Sequence, residues 1–506
     1  MKNLIKLLFN KVTIIAVLIA LQAFYFVMFF IKLKDYANWI TPALTLLSIA
    51  MFLAIIMSYQ NPAYKIVWIV IIGIVPLMGG LLYLLLGNKR PSKKLEQKIL
   101  KQEDKYLPLL KQKNDIKHKM PKRLASISKY IEDQGYPAHE NTQIEYFKIG
   151  EEMYENMLRD LRNAKHFIFF EYFIIKDGKM WQEIKEILIQ KAKEGLDIRV
   201  MFDDMGCIGV LPKNFVKDLE ASGIKVAVFN PLVPFLSLVM NNRDHRKILV
   251  IDGYIGYNGG INIADEYINL KSPYGHWKDT GVRLFGEAVW NLTIMFLNIW
   301  GAYYPDDFDY KNYMPNKFYN GEFKSDGFIQ PFSDSPLDFE EISENVYMDI
   351  LWQANDYVYI FTPYLIITNE MNVALEMAAK RGVDVRLVVP GIPDKKSVYQ
   401  LTKSYFNRLM KAGVKIYLYE PGFIHAKSYI SDDEIAIVGT INMDYRSLYL
   451  HFECGTLMIN SEAIKDLKTD CFEVFKLSKL VTETDIKRGP LSDLTRAVLR
   501  VLSPLF

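Results

Sequence analysis

Two of the chain's histidines stand in the same short pattern of basic and acidic residues. The pattern is His, any residue, Lys, four further residues and then Asp. Its first copy consists of His245, Lys247 and Asp252, and its second copy consists of His425, Lys427 and Asp432. We take these six residues as the candidate catalytic set. With 7 histidines in 506 residues, chance would produce two copies in well under about one such chain in a thousand at ordinary Lys and Asp frequencies.

The spacing suits chemistry on a phosphodiester. Both copies lie in β-rich stretches, and side chains two residues apart on a strand point to the same face, so each His is expected to share a face with its Lys. If both copies meet in one cleft, two lysines neutralise the phosphate and its pentavalent transition state. One imidazole attacks phosphorus and the other protonates the leaving oxygen. This chemistry needs no metal or other cofactor, and the sequence has no evident cluster of metal ligands.

The stretches around the two copies repeat one another. Each half of the repeat reads as strand, helix, strand, helix and strand before the motif. The matching segments are 164–175 with 354–367, 193–200 with 380–387, and 222–231 with 412–421. This order predicts an α/β fold in which two α-β-α sandwich halves pack about a pseudo-twofold axis.

Three uncharged, apolar runs near the N-terminus predict a helical transmembrane region. They cover residues 12–31, 40–57 and 66–86, and a helix needs about 20 apolar residues to cross a bilayer. The alternative of a signal peptide followed by buried helices fits less well, because no small-residue cleavage site follows the first run. The basic residues between 89 and 101 should stay on the cytoplasmic side. Two or three spans, and either side for the N-terminus, remain open.

The composition argues against some classes of protein. Lys and Arg number 61, Asp and Glu number 58, and the formal net charge is only +3, whereas a nucleic-acid binder usually carries a strong basic surplus. The three cysteines, Cys207, Cys454 and Cys471, fit neither a disulfide framework nor a zinc site. A reducing compartment is the simplest interpretation.

The paired motifs resemble those of the phospholipase D superfamily, over roughly residues 140–480. In that superfamily an Asn after each motif lines the phosphate site, a carboxylate bonds to each catalytic His, and the Asp of each motif more often holds its loop. The residues that match are Asn262 and Asp279 in the first half, and Asn442 and Glu453 in the second. The alternative that Asp279 and Glu453 are ordinary polar residues stays open.

Further segments resemble bacterial cardiolipin synthases. They are the apolar hairpin at 59–88, the segments 276–289 and 439–455, and the ending 500–506. The resemblance implies transfer of a phosphatidyl group from one phosphatidylglycerol to another, with release of glycerol, through a phosphohistidine. Which His attacks is left open. The alternatives are a membrane-bound phospholipase D hydrolase, a phosphatidylserine-type phosphatidyltransferase and a scaffold without activity.

These observations predict where the protein works and how the chain is divided. The expected location is the bacterial plasma membrane, with several spans and a cytoplasmic catalytic region, and the expected partners are phosphatidylglycerol and other anionic phospholipids. Whether the chain forms homo-oligomers is open. The predicted divisions are transmembrane helices in 1–90, a charged linker in 91–139, phospholipase D-like domains in 140–315 and 316–485, and an amphipathic segment in 486–506.

Overall fold

A computed structural model gives the fold of the chain. It describes residues 37–74, 79–80, 82–84, 87, 93–110, 116–231, 242–337, 340–486 and 489–505, together with positions 20, 24, 27, 28 and 31. The apolar run 12–31 lies almost wholly outside these described residues, and so do residues 232–241 in front of the first motif.

The first continuous range that the structure describes, residues 37–74, contains two apolar helices. They are α1 (Ala37–Met57) and α2 (Pro62–Ile74), and they pack on each other through a small cluster that includes Ile55 and Ile72. Within the described ranges, no helix has both the length and the apolar character that a bilayer span requires.

The charged segment after these helices folds onto the rest of the molecule. It contains α3 (Lys93–Leu110) and α4 (Lys122–Asp133). The Gln102 side chain of α3 donates a hydrogen bond of 3.0 Å to the carbonyl oxygen of Gly301, and α4 buries one face, including Leu124, in the core of the second half. The segment predicted as a linker therefore consists largely of two packed amphipathic helices.

The first half of the repeat is built on a mixed seven-stranded sheet with the order β1-β9-β7-β6-β2-β3-β4, in which β2, β3 and β4 are parallel. Its strands are β1 (Thr142–Phe147), β2 (Phe167–Tyr172), β3 (Asp197–Asp203), β4 (Lys225–Phe229), β5 (Arg243–Asp244), β6 (Lys247–Ile251), β7 (Ile255–Gly259), β8 (His276–Lys278) and β9 (Gly281–Gly286). Its helices are α5 (Gly150–Asn163), α6 (Lys179–Lys193), α7 (Phe215–Ala221) and α8 (Val289–Tyr303). Strands β5 and β8 lie outside this sheet.

The second half repeats the arrangement, with the sheet order β10-β19-β17-β16-β11-β13-β14-β20. Its strands are β10 (Phe328–Asp334), β11 (Tyr357–Phe361), β12 (Leu365–Ile366), β13 (Asp384–Pro390), β14 (Lys415–Tyr419), β15 (Gly422–Ile424), β16 (Ser428–Ser431), β17 (Ile435–Gly439), β18 (Met443–Asp444), β19 (His451–Ile459) and β20 (Ser478–Leu480). Its helices are α9 (Ile342–Gln353), α10 (Asn369–Lys380), α11 (Lys396–Lys411), α12 (Tyr445–Tyr449) and α13 (Ala463–Lys476), and the chain ends in α14 (Pro490–Leu502).

The core of the two halves consists of three apolar layers. The outer face of the first sheet packs against α5, α6 and α7, and the outer face of the second packs against α9, α10 and α11. The inner faces of both sheets share one core with α8 and α13. Helix α8 is largely apolar and is buried along nearly its whole length, as expected of a helix that lies inside the core. The prediction of an α/β fold with two α-β-α halves is confirmed.

Short strands cross between the halves beside the two motifs. In the first crossing, β5 pairs in parallel with the start of β19, and Arg243 lies opposite His451. In the second, β15 pairs in parallel with β8, and Gly422 lies opposite His276. Each motif therefore begins next to a strand that belongs to the other half.

Helix α14 packs on the second half at the end of the chain. The Arg500 guanidinium donates to the carbonyl oxygen of Ser404 in α11 and lies 4.9 Å from the ring centre of Tyr405. The opposite side of α14 leaves Leu494 and Val498 exposed. The C-terminal segment is thus an amphipathic helix, with one face on the protein and an apolar face outside it.

Candidate active site

Each motif histidine lies directly after a crossing strand and is fixed by the opposite half. The backbone N–H of His245 donates to the carbonyl oxygen of Phe452 at 2.9 Å, and that of His425 donates to Lys278 at 2.7 Å. Both histidine side chains are nearly buried. The two histidines therefore depend on contact between the halves for their position.

The carboxylate partners of the histidines also cross between the halves. Nδ1 of His245 lies 2.9 and 3.0 Å from the two carboxylate oxygens of Glu453, in the second half. Nδ1 of His425 lies 2.6 Å from Oδ2 of Asp279, in the first half. A carboxylate at Nδ1 fixes the tautomer that keeps Nε2 available for chemistry. The sequence assigned one carboxylate to each half, and the structure adds that each of them serves the histidine of the other half.

The two motif lysines are buried beside their histidines. Nζ of Lys247 donates to the carbonyl oxygen of His245 at 2.5 Å. Nζ of Lys427 donates to the carbonyl oxygen of His425 and lies 2.9 Å from Nδ1 of the same residue. In the described part of the chain neither ammonium group forms an ion pair with a carboxylate. Each lysine therefore retains hydrogen-bonding capacity for an anionic ligand.

Burial sets the ionisation of these groups. It lowers the pKa of Lys247 to about 8 and that of Lys427 to about 7. Burial and the charge of Lys427 lower the pKa of His425 to about 4, and burial and the nearby lysines hold the pKa of His245 well below its usual value. A phosphodiester anion bound beside these four groups would raise all four pKa values, because it favours the protonated forms.

Asp279 stays ionised in this surrounding. Burial by itself would raise its pKa, but the charges of His425 and Lys427, together with the hydrogen bond from His425, outweigh burial, so the pKa of Asp279 is lowered. An ionised carboxylate at Nδ1 stabilises the imidazolium that forms when the ring takes up a proton.

The motif aspartates lie in turns, where they bond to the backbone and not to the motif histidines or lysines. Both have positive φ angles, 50° at Asp252 and 54° at Asp432, and each carboxylate accepts hydrogen bonds from three successive backbone N–H groups. Those donors are Lys165, His166 and Phe167 for Asp252, and Asn355, Asp356 and Tyr357 for Asp432, at 2.7 to 3.0 Å. The aspartates hold the starts of β2 and β11, so we group them with the positioning residues and not with the catalytic ones.

The two asparagines after the motifs differ in their contacts. Oδ1 of Asn262 accepts from the N–H of Ile174 at 3.0 Å, and its amide donates to the hydroxyl of Tyr267 at 2.7 Å. Oδ1 of Asn442 is buried and has no hydrogen-bond partner within the described structure. Asn262 is thus held by the protein, whereas Asn442 keeps an unused polar atom.

A buried ion-pair network lies next to the first motif and was not foreseen from the sequence. Nε of Arg246 lies 2.8 Å from Glu171 and 3.0 Å from Asp244. Burial and the neighbouring Asp244 raise the pKa of Glu171 well above its usual value, although Arg246 opposes this. The sequence offers one indication of this network. Side chains alternate along a strand, so Arg246 is expected to face away from His245 and Lys247.

One group of three side chains in the described structure is close enough to hold a metal ion. It consists of His245, His451 and Glu453, whose donor atoms lie within 4.8 Å of one another. Two of these, His245 and Glu453, already bond to each other. The charges of Lys247 and Lys427 act on His245 and oppose a cation there. The arrangement suits an anion better.

Comparisons with known proteins agree with this geometry. The family described as "Cardiolipin synthase, PLD-like domain" matches residues 157–272 and 347–473, and "Phospholipase_D-nuclease N-terminal" matches residues 46–88. A protein of Geobacillus sp. strain WCH70 named "Cardiolipin synthase" is 34% identical over 98% of this chain and 99% of its own length. "Cardiolipin synthase 2" of Bacillus anthracis is 34% identical over 89% of this chain and 88% of its own.

Two further matches carry less information about function. A Streptococcus mutans protein without an assigned function is 44% identical over 90% of this chain and 99% of its own length. The crystal structure of phosphatidylserine synthase from Haemophilus influenzae superposes with a TM-score of 0.54 at 14% identity, over 75% of this chain and 97% of that one. At that identity the match supports the fold alone.

Proposed function

The chain belongs to the cardiolipin synthases of the phospholipase D superfamily, and from this premise we propose that it joins two phosphatidylglycerol molecules into cardiolipin and releases glycerol. As a member of that family it is a phosphatidyltransferase. The observation that carries the proposal is the crossed pair of His–carboxylate contacts, His245 with Glu453 and His425 with Asp279, next to two buried lysines.

The proposed reaction has two displacements at phosphorus. In the first, Nε2 of one motif histidine forms a bond to phosphorus, the bond from phosphorus to the glycerol oxygen breaks, and the other histidine gives its proton to that oxygen. In the second, the now neutral histidine takes the proton from a hydroxyl of the second phosphatidylglycerol. The oxygen attacks phosphorus, and the phosphorus–nitrogen bond breaks.

The remaining site residues are assigned supporting roles in this reaction. Lys247 and Lys427 hold the phosphoryl oxygens and stabilise the charge of the transition state. Asp279 and Glu453 orient the two imidazoles and stabilise their protonated forms. Asn442, whose Oδ1 has no partner in the described structure, contacts the substrate, where Oδ1 can accept a hydrogen bond from a headgroup hydroxyl. Over the two steps one phosphodiester bond is exchanged for another, so the reaction draws no energy from a nucleotide.

The proposed location is the bacterial plasma membrane, with several spans and the catalytic halves on the cytoplasmic side. The uncharged runs 40–57 and 66–86 and the basic residues 89–101 support this. Helix α1 leaves Leu46 and Leu53 exposed, and α14 leaves Leu494 exposed. These surfaces suit contact with lipid, and the basic residues suit anionic headgroups.

The test is an incubation of the purified full-length protein in detergent with phosphatidylglycerol as the only lipid and without nucleotide. Mass spectrometry should detect cardiolipin, with one glycerol released for each cardiolipin formed. His245→Ala and His425→Ala should each abolish both products. His166→Ala is the matched control, because His166 has an exposed side chain outside the cleft and should retain full activity. Phosphatidic acid without cardiolipin would instead assign the protein to the hydrolases.

A further inference from the structure

Two aromatic rings flank the catalytic histidines at equivalent positions of the two halves. Trp277 stands two residues before Asp279, and His451 stands two residues before Glu453. The ring of Trp277 lies 5.4 Å from that of His425, at 46°. The ring of His451 lies 5.5 Å from that of His245, at 41°. The pseudo-twofold relation of the halves therefore extends to a neighbour ring for each catalytic imidazole.

Both neighbour rings carry nitrogen atoms without a partner. Nε1 of Trp277 and both ring nitrogens of His451 are buried and form no hydrogen bond with any residue that the structure describes. Nδ1 of His451 is 3.8 Å from Glu453, which is too long for a hydrogen bond. A buried polar atom without a partner is costly, and nearly all such atoms in native proteins are satisfied. A ligand in the cleft would supply the missing partner.

The chemistry of the two rings identifies the atoms that they would contact. Burial lowers the pKa of His451 to about 3, so the ring is uncharged at neutral pH and offers one N–H. The indole of Trp277 also offers one N–H and accepts nothing. A phosphodiester and its glycerol headgroup carry only oxygen acceptors and hydroxyls, which match uncharged donors of this kind.

We propose that Trp277 and His451 are substrate-contacting residues, each of which donates a hydrogen bond to an oxygen of the bound phospholipid headgroup beside one catalytic histidine. The lysines neutralise the charge of the phosphate, and the hydrogen bonds from these two uncharged donors orient the headgroup. Each ring comes from the half opposite to the histidine that it flanks, as the carboxylates do. The identity of the lipid as phosphatidylglycerol rests on the proposed function, but the contact to a phosphodiester does not.

The test compares substitutions that keep the ring and remove the donor. Trp277→Phe and His451→Phe in the full-length protein should each lower kcat/KM for phosphatidylglycerol about tenfold, the usual effect of losing one substrate hydrogen bond. His451→Asn keeps an N–H donor and should stay within about threefold of the unmodified protein. The matched control is Trp290→Phe. Trp290 also has a buried, unpartnered indole nitrogen, but it lines a separate cavity of about 380 Å³, so kcat/KM should not change.

The outcomes separate this inference from the proposed function. Full activity of Trp277→Phe and His451→Phe would overturn it, and so would an equal loss in His451→Phe and His451→Asn, which would indicate packing alone. If the unmodified protein hydrolysed phosphatidylglycerol without making cardiolipin, the proposed function would fail. The same variants would then be compared by the rate of phosphatidic acid release, with the same expected ratios.

Discussion

The two halves of the molecule place the same groups around the cleft but support them differently. The strand register is the same in both sheets: Gly281 lies opposite Gly259 in the first, and Gly455 lies opposite Gly439 in the second. Asp279 stands two residues before Gly281, and Glu453 stands two residues before Gly455. The two carboxylates therefore occupy matching positions.

The residues behind the carboxylates show the difference. In the first half, a Cβ atom on Gly260 would lie 2.1 Å from Oδ1 of Asp279. In the second half, the matching residue is Thr440, whose hydroxyl donates to the carboxylate of Glu453, a longer side chain than that of Asp279. Each half thus adapts its carboxylate with its own neighbour and presents it to the histidine of the other half. Neither half by itself therefore contains a complete pair of motif histidine and carboxylate.

The largest expected effect follows from removing the crossed carboxylates. Asp279→Asn and Glu453→Gln keep the size of each side chain but lose its charge, so the imidazolium is no longer stabilised and the tautomer is no longer fixed. Each variant should lower kcat for cardiolipin formation at least about 100-fold. If one variant retained nearly full activity, the two histidines would not depend on their carboxylates in the same way, and the equivalence of the two sites would be wrong.

The motif aspartates should affect stability equally in both halves. Asp252→Asn and Asp432→Asn each weaken three charge-assisted hydrogen bonds to backbone N–H groups, while Asn tolerates the positive φ. Each change should lower the free energy of unfolding by about 2 kcal/mol. Chemical unfolding followed by tryptophan fluorescence measures this. A strong loss in one half and none in the other would contradict the matched roles.

The residues behind the carboxylates should respond differently. Gly260→Ala forces Asp279 away from His425, and we expect kcat to fall about tenfold, by the cost of losing one hydrogen bond. Thr440→Val removes the hydroxyl that bonds to Glu453 and to the backbone of Cys454. It leaves Glu453 in place beside His245, so its effect should be about threefold. Initial rates at saturating phosphatidylglycerol test both. A larger loss from Thr440→Val than from Gly260→Ala would reverse the comparison.

The smallest effect concerns the two lysines and pH. Lysine is charged below its pKa, so raising the pH through about 7 for Lys427 and about 8 for Lys247 removes the charges that bind the anionic lipid. One histidine must donate a proton, and both histidines have low pKa values in the free enzyme, so kcat/KM already falls as the pH approaches neutrality. Loss of the lysine charges should make this fall steeper above about pH 7, and kcat should decline at higher pH because bound phosphate holds the protons. Lys427→Arg keeps its charge, so in this variant the added fall should begin only near pH 8. An unchanged profile would assign the alkaline limb to another group.

Much of the fold and of the site could be predicted from the sequence because the evidence is local and repeated. The matching segments predicted both sandwich halves, and the two motifs predicted which histidines and lysines lie close enough for their charges to interact. The backbone N–H groups that bond to the motif aspartates, such as those that bond to Asp252, could not be predicted. Contacts between residues distant in sequence leave no local pattern.

Other features depend on how the two halves meet. The exchange of Asp279 and Glu453 between the halves follows from the crossing strands β5 and β8, which are only two and three residues long and have no periodic signal. That the rings of Trp277 and His451 each lie beside the histidine of the other half appears only in the structure. The high charge of residues 91–139 suggested a linker, and within this segment one apolar face of α3 packs on the core.

The stereochemical course at phosphorus tests most directly whether a histidine in the crossed site forms a covalent intermediate. Phosphatidylglycerol with a chiral phosphorothioate in place of the phosphate would be converted by the purified protein, and the configuration of the product would be determined by phosphorus NMR. Two successive displacements through a phosphatidyl-histidine predict retention of configuration. Inversion would mean a single direct displacement by the second lipid, and it would contradict the account.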